Sequence, residues 1–479
     1  MGFPNASGRE YTGFAPGGCS VSESYDLVVI GAGPAGESAA VTAALLGKRV
    51  AVVEKAAQPG GAAVNTGTVP SKTLRETALA LSGLRSRNLH GVDLSLRRGT
   101  TVDDLVRHER TVRTGEQTRI RESFAHHGIT LIPGRGEFDD PNTVRVHTAD
   151  GSSRPIRGES IVIAIGSVPV RPPGIPFDHA RIHDSDELLD IHEMPESIAV
   201  VGAGVIGSEY ACMFASLGVP TYLVDGRDRL LPFLDAELSA ALLVEMERLG
   251  VRFVWKENVV SCPDPGEGKV RLTLSSGTRL EVDHALICAG RMCRTPELKL
   301  DRAGITTCEK GRIPVNAQFQ SVVPHIYAVG DVIGFPALAS TSAEQGRAAV
   351  SHRYECEFGN CPVATVLPSG IYTIPELSSA GATEEELKKQ NVDYVVGRAR
   401  YEDVPRGKII GDKTGFLKLL FDRASRKLLG VHVIGELATE VVHIGVVTLM
   451  AEGRAELLLR TCFNYPTLGE LYKHATLDA

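Results

Sequence analysis

The sequence predicts an α/β fold, with two Rossmann-like dinucleotide-binding domains followed by an α+β domain. Three observations predict it. The run YDLVVIGAGPAGESAAVTAALLGKRVAVVEK from Tyr25 reads as an apolar strand, a glycine turn, a helix of small residues and a second strand closed by an acid, Glu54. The same order returns from Ser197 in SIAVVGAGVIGSEYACMFASLGVPTYLVD, closed by Asp225. After about residue 361 the pattern changes, and IYTIPELSSAG, FLKLLFD and LLGVHVIG read as antiparallel strands mixed with helix.

In the first repeat Gly31 makes the tight turn, Gly33 lets the backbone approach a pyrophosphate, and Gly36 allows close packing of helix on strand. Glu54 is placed to accept hydrogen bonds from an adenosine ribose, with Lys55 beside it as a further nucleotide contact. Gly202, Gly204, Gly207 and Asp225 take the corresponding places in the second repeat. Asp225 favours a free ribose 2′-hydroxyl. Arg227 and Arg229, in VDGRDRLLPFLD, are either ligands for a 2′-phosphate or solvated charges paired with Asp228 or Asp235.

Between the repeats lies GGAAVNTGTVPSK, residues 60 to 72, where Pro70 suits a first helical turn and Leu74, Ala78, Leu81 and Leu84 then fall near one face. The β-like runs ITLIPGRGEF, NTVRVHT and SIVIAIG, within residues 129 to 165, complete the first sheet. The expected organisation is a flexible tail at 1–24, a first nucleotide domain from 25–165 and 293–360, a second at 166–292, and the α+β domain at 361–479.

Composition narrows the function. A chain of 479 residues holds about three domains at ~150 residues each. A net charge of −7 argues against nonspecific nucleic-acid binding. No run of ~18 apolar residues occurs, so no membrane span is expected. Nine scattered cysteines, an odd number in a chain too large to need stapling, fit a reducing cytoplasm. The CxxxxC pairs Cys288/Cys293 and Cys356/Cys361 lack a preceding GG turn and a following PSK, and no redox role is assigned to them. No metal site is expected.

Segment 60–72 resembles GGxCxNxGCxPSK of the two-dinucleotide-fold flavoprotein disulfide reductases, such as dihydrolipoamide dehydrogenase and glutathione reductase. The two sulfur positions hold Ala63 and Thr68, which carry no thiol, so no disulfide can store electrons there. The resemblance covers about residues 25 to 475. It implies FAD on the first repeat and NAD(H) or NADP(H) on the second. Gly60, Gly61, Ala62, Ala63, Lys72, Gly136, Gly166, Asp331 and Ala339 would contact FAD, while Gly290 and Arg291 would form the return crossover. It further implies that Lys72, ion-paired to Glu209, lies beside the flavin as the catalytic pair, and that the last domain forms a homodimer or larger assembly.

In FNYPTLGE, residues 463 to 470, Tyr465 replaces the family's acid/base histidine while Glu470 stays. A phenol of ordinary pKa ~10 is no proton acceptor for a thiol at neutral pH. Within the family, TxPSK, RDRLL-FLD, GIYTIPE and FNYPT resemble the soluble pyridine nucleotide transhydrogenases. That group implies hydride transfer from NADPH through flavin to NAD⁺ at one nicotinamide site. Two alternatives stand beside it: a quinone or dye reductase or oxidase of the same fold, and a non-catalytic flavoprotein scaffold.

Overall fold

The computed structural model describes residues 23–84, 101–177, 180–266, 268–356, 363 and 365–479. Glu23 and Ser24 already pair with Ile156 and Arg157, so the first strand takes two residues from the expected tail; the rest of that tail, with Cys361, lies outside the described residues.

The first sheet is built on the strands Glu23–Ile30 and Val50–Glu54, paired in parallel with Leu27 opposite Val50, where the apolar and buried runs Leu27–Ile30 and Val50–Val53 meet. Such runs suit strands covered on both faces. Thr130–Pro133 extends the sheet beside Val50–Glu54. On the other side lies the long strand Ser153–Ile163, which pairs in parallel with both Glu23–Ile30 and Ile326–Ala328. Its beginning pairs antiparallel with Thr143–His147, which in turn pairs with Arg135–Asp140. Helices Pro34–Leu45 and Ala339–Arg353 cover one face, and they approach so closely that a Cβ on Gly346 would lie 2.2 Å from the Ala35 carbonyl oxygen.

The second sheet is parallel throughout, in the order Val251–Trp255, Thr221–Asp225, Ile198–Val201, His284–Ile287, Ile182–Asp184. The chain enters this unit past Val168–Pro169 and leaves it past Arg291–Met292, and these two short strands pair antiparallel. In the third unit a five-stranded antiparallel sheet, Ser369–Ile371, Leu377–Gly381, Leu428–Ile434, Phe416–Asp422 and Tyr394–Arg400, packs under helices Ala438–Met450 and Glu470–Asp478.

One lysine ties the second unit to the third. Lys418, 0% exposed on its strand, donates to Asp235 at 2.8 and 3.0 Å and to Glu384 at 2.6 Å, and lies 3.0 Å from Glu237. Asp235 and Glu237 begin the helix Ala236–Leu249 of the nucleotide unit, while Glu384 begins a helix of the last unit. The three carboxylates have the spacing of a metal site, but the ammonium of Lys418 already binds all three. Burial pushes all three acids up and the lysine down; the bonds to Lys418, with Arg398 on Glu237 and Tyr394 on Glu384, outweigh it, lowering the acids, Glu384 to about 2, and raising the lysine.

Depressed acids stabilise fully above their unfolded values near ~4 and lose that contribution as pH falls through the folded ones. The tie should therefore hold at neutral pH and loosen between about pH 4 and 2, read as earlier amide exchange in residues 235–240 and 383–389. Lys418→Met should lower stability by about 3–5 kcal/mol in urea unfolding, because it leaves the buried Asp235 without a cation, whereas Glu237 keeps Arg398 and Glu384 keeps Tyr394 and Lys388.

Candidate active site

The two glycine turns have nearly the same backbone. Gly31 and Gly202 take φ of 105° and 109°, which only glycine adopts without strain. A Cβ on Gly36 or Gly207 would lie 1.9 Å from the carbonyl oxygen of Gly31 or Gly202 respectively, so helix and turn can touch only without side chains. Gly33 and Gly204 cap the following helices in extended geometry with no side chain on the free amides. Both helix N-termini are left open to an anion.

The first turn opens into a cavity of about 860 Å³, lined by Gly31, Gly33, Glu54, Lys55 and Gly136 together with Ala62, Ala63, Thr68, Lys72 and Glu209. Gly61, Gly166, Arg291, Asp331 and Ala339 also line it. Gly36 and Gly60 do not; Gly60 packs against Val64. Gly61 and Gly33 meet so closely that a Cβ on Gly61 would lie 2.8 Å from the Gly33 Cα, which keeps the floor of the cavity bare backbone. Glu54 accepts from the amides of Ala32 at 2.7 Å and Ala56 at 2.8 Å. An uncapped helix end, an acid with free acceptor positions and a lysine lining one cavity fit a dinucleotide with a redox ring.

Lys72 lies one turn into the helix Thr68–Ser82 and donates to both oxygens of Glu209, at 2.7 and 3.0 Å. Glu209, 5% exposed, sits in the helix that follows the second glycine turn and also accepts from the Tyr372 amide at 2.8 Å. The Tyr372 ring lies under the ammonium, 4.9 Å from Nζ to centroid. One turn along from Lys72, the buried Arg75 donates to the Thr373 carbonyl at 3.0 Å and pairs with Glu376 at 3.1 Å. Leu74 and Ala78 are buried as expected. Leu81 and Leu84 are only half-buried, and Leu79 takes the core position instead.

A second chain of contacts crosses the chamber. Asp331 accepts from the Ser167 hydroxyl at 2.6 Å, Arg291 donates to that hydroxyl at 2.8 Å, and Arg291 reaches Asp186 at 3.3 Å.

The second turn lies outside this cavity, and its acid differs from Glu54. Asp225 accepts from the Ala203 amide at 2.6 Å, the Arg227 amide at 2.8 Å, and the Arg227 guanidinium at 2.8 and 2.7 Å. Burial pushes its carboxyl up, but these bonds outweigh it and hold the pKa at about 2. Arg227 therefore pairs with neither of its expected partners, because two residues on it already reaches the closing acid. Asp228 pairs with Lys256, Asp235 with Lys418, and Arg229 donates to the Leu234 carbonyl with Glu385 at 3.6 Å. Gly290 precedes the crossover strand with φ 95°.

Tyr465 is exposed, and the buried Oε2 of Glu470 has no hydrogen-bond partner among the described residues. Cys288 and Cys293 are free thiols; burial pushes Cys288 up to about 12. No described cysteine lines the cavity. Tyr372 escaped a sequence-based role because its contribution to Glu209 is a main-chain amide.

Residues 25–346 match the pyridine nucleotide-disulphide oxidoreductase family, and residues 367–476 match that family's dimerisation domain. The chain belongs to the pyridine nucleotide-disulphide oxidoreductase family, FAD-dependent enzymes that use pyridine nucleotides. It is 46% identical to a soluble pyridine nucleotide transhydrogenase of Mycobacterium bovis BCG, over 95% of this chain and 97% of that protein. It is 41% identical to one from Hahella chejuensis, over 95% and 98%. Among solved structures, LpdA from Mycobacterium tuberculosis matches with a TM-score of 0.88 at 27% identity, over 95% of this chain and 99% of that one. The HOCl-induced flavoprotein disulfide reductase RclA from Escherichia coli matches at 0.85 and 27%, with the same coverage. No helix among the described residues is long and apolar enough to cross a membrane.

If Lys72 holds its charge toward the redox ring, Lys72→Met should slow flavin reduction by NADPH roughly tenfold or more in anaerobic stopped flow, with flavin content retained. An unchanged rate would remove the lysine from the chemistry.

Proposed function

We propose that the chain is a transhydrogenase that moves a hydride between NADPH and NAD⁺ through FAD, with no redox-active disulfide. The observation that carries the reading is the thiol-free lining of the cavity, which holds Ala63 and Thr68 as well as the Lys72–Glu209 pair. The curated relatives bear the transhydrogenase name.

FAD, when bound, accepts a hydride from a reduced nicotinamide and returns it to an oxidised one. The chain's own residues then have separate tasks. The open helix ends at Gly33 and Gly204 bind pyrophosphates, and Glu54 and Asp225 hold ribose hydroxyls. Asp331, fixed by Ser167 and Arg291, accepts from the hydroxylated chain of the cofactor. Lys72 holds a positive charge at the ring, and Glu209 fixes its direction while sharing the burial of that charge. Such fixed charges need no reorganisation when charge develops. Orientation of the two reactants supplies the remainder, and hydride transfer needs no general base.

With Ala63 and Thr68 in the thiol positions, electrons have no path to a disulfide substrate. The exposed Tyr465, in place of an acid/base histidine, fits the same loss. The last domain would form a homodimer, in keeping with its match to a dimerisation domain.

Turnover of the purified flavoprotein with NADPH separates this reading from its rivals. Thio-NAD⁺ should be reduced faster than menadione or oxygen, and lipoamide and glutathione disulfide not at all. Negligible thio-NAD⁺ reduction beside rapid menadione reduction would establish a quinone reductase instead.

A further inference from the structure

The two acids that close the two repeats provide an internal comparison. Each sits at the end of the second strand of its repeat, and each accepts from the amide after the first motif glycine, Ala32 or Ala203, and from the amide two residues on, Ala56 or Arg227. A carboxylate has about four acceptor positions. Glu54 uses two of them in these bonds, leaving two for a ribose diol. Asp225 uses all four, because the Arg227 guanidinium takes the other pair, Nε to one oxygen and Nη2 to the other. The residue two positions after the acid makes the difference: alanine in the first repeat, arginine in the second.

This arrangement bears on which nucleotide the second site takes, and the inference rests on the proposal that it takes both. We infer that Arg227 is a two-position specificity switch that exchanges between the Asp225 carboxylate and the 2′-phosphate of NADP(H). Closed, the guanidinium fills the acceptor positions that a ribose diol needs and neutralises an acid that would repel a phosphate. When NAD(H) binds, its hydroxyls replace the guanidinium on Asp225 and the arginine moves to solvent, where its side chain is already 48% exposed. When NADP(H) binds, the guanidinium gives up part of its pairing with Asp225 for charge-assisted bonds to the phosphate, and stands between the two anions.

Neither nucleotide meets a preformed site, so neither is excluded. A free aspartate would reject the phosphate, and a free arginine would favour it strongly. The closed pair narrows that difference. Arg229 is held by the Leu234 carbonyl beside Glu385, and Lys256 is turned to Asp228, which leaves Arg227 as the cation already on the ribose acid.

Equilibrium binding of NAD⁺ and NADP⁺ to the oxidised holoenzyme tests this without hydride transfer, with 5′-AMP and 2′,5′-ADP as probes of the subsite alone. Arg227→Ala should raise the ratio of the NADP⁺ to the NAD⁺ dissociation constant roughly tenfold or more, by weakening NADP⁺ and tightening NAD⁺. Asp225→Asn should move the ratio the other way, and Arg229→Ala should move it less than Arg227→Ala. A ratio unchanged in Arg227→Ala, or carried by Arg229→Ala instead, would overturn the switch while leaving the transhydrogenase reading intact. A wild-type protein that binds only one of the two nucleotides would overturn both.

Discussion

The ion pair between Lys72 and Glu209 holds the architecture together at the point where the chemistry would occur. Its partners belong to helices of different nucleotide units, and Glu209 also takes the Tyr372 amide from the third. One carboxylate thereby joins three parts of the chain. Arg75, on the same helix as Lys72, repeats the link through Thr373 and Glu376. Moving any of the three units would leave a buried charge without its partner, which costs several kcal/mol. The lysine is therefore fixed in place rather than left to sample solvent.

What the sequence could reveal divides by the range of the interaction. The glycine turns were legible because their demand is local: a positive φ at Gly31 and Gly202, and no Cβ at Gly36 and Gly207. The Lys72–Glu209 pair spans 137 residues and came only through family resemblance, since nothing in the periodicity of either helix distinguishes a buried pair from two surface charges. Arg227 was visible as a cation beside a ribose acid, but its partner was not. Asp235, one of the expected partners, is taken by Lys418, a residue 183 positions later that only the tertiary fold delivers. Tyr372 lay within the family-like GIYTIPE run, but its bond to Glu209 was not legible there, because that bond comes from a main-chain amide that any residue except proline supplies.

The duplicated turn also shows how one backbone serves two ends. Both copies offer an uncapped helix terminus and a closing acid, and the side chain two residues on decides what that acid can accept. In the first copy the acid keeps two acceptor positions beyond its bonds to Ala32 and Ala56. In the second an arginine occupies the corresponding pair, the contact proposed above to exchange with a nucleotide. Around the cavity between them, Ala63 and Thr68 supply no sulfur, so the proposed electron path begins and ends at a nicotinamide.

The most direct measurement is an anaerobic titration of the oxidised flavoprotein with NADPH, followed by NAD⁺, with the flavin spectrum recorded throughout. A cavity without thiols predicts complete bleaching at one equivalent of NADPH per flavin, no long-wavelength thiolate–flavin band, and full return of the oxidised spectrum on adding NAD⁺. Uptake of a second equivalent before bleaching is complete, or a flavin that stays reduced in excess NAD⁺, would contradict it.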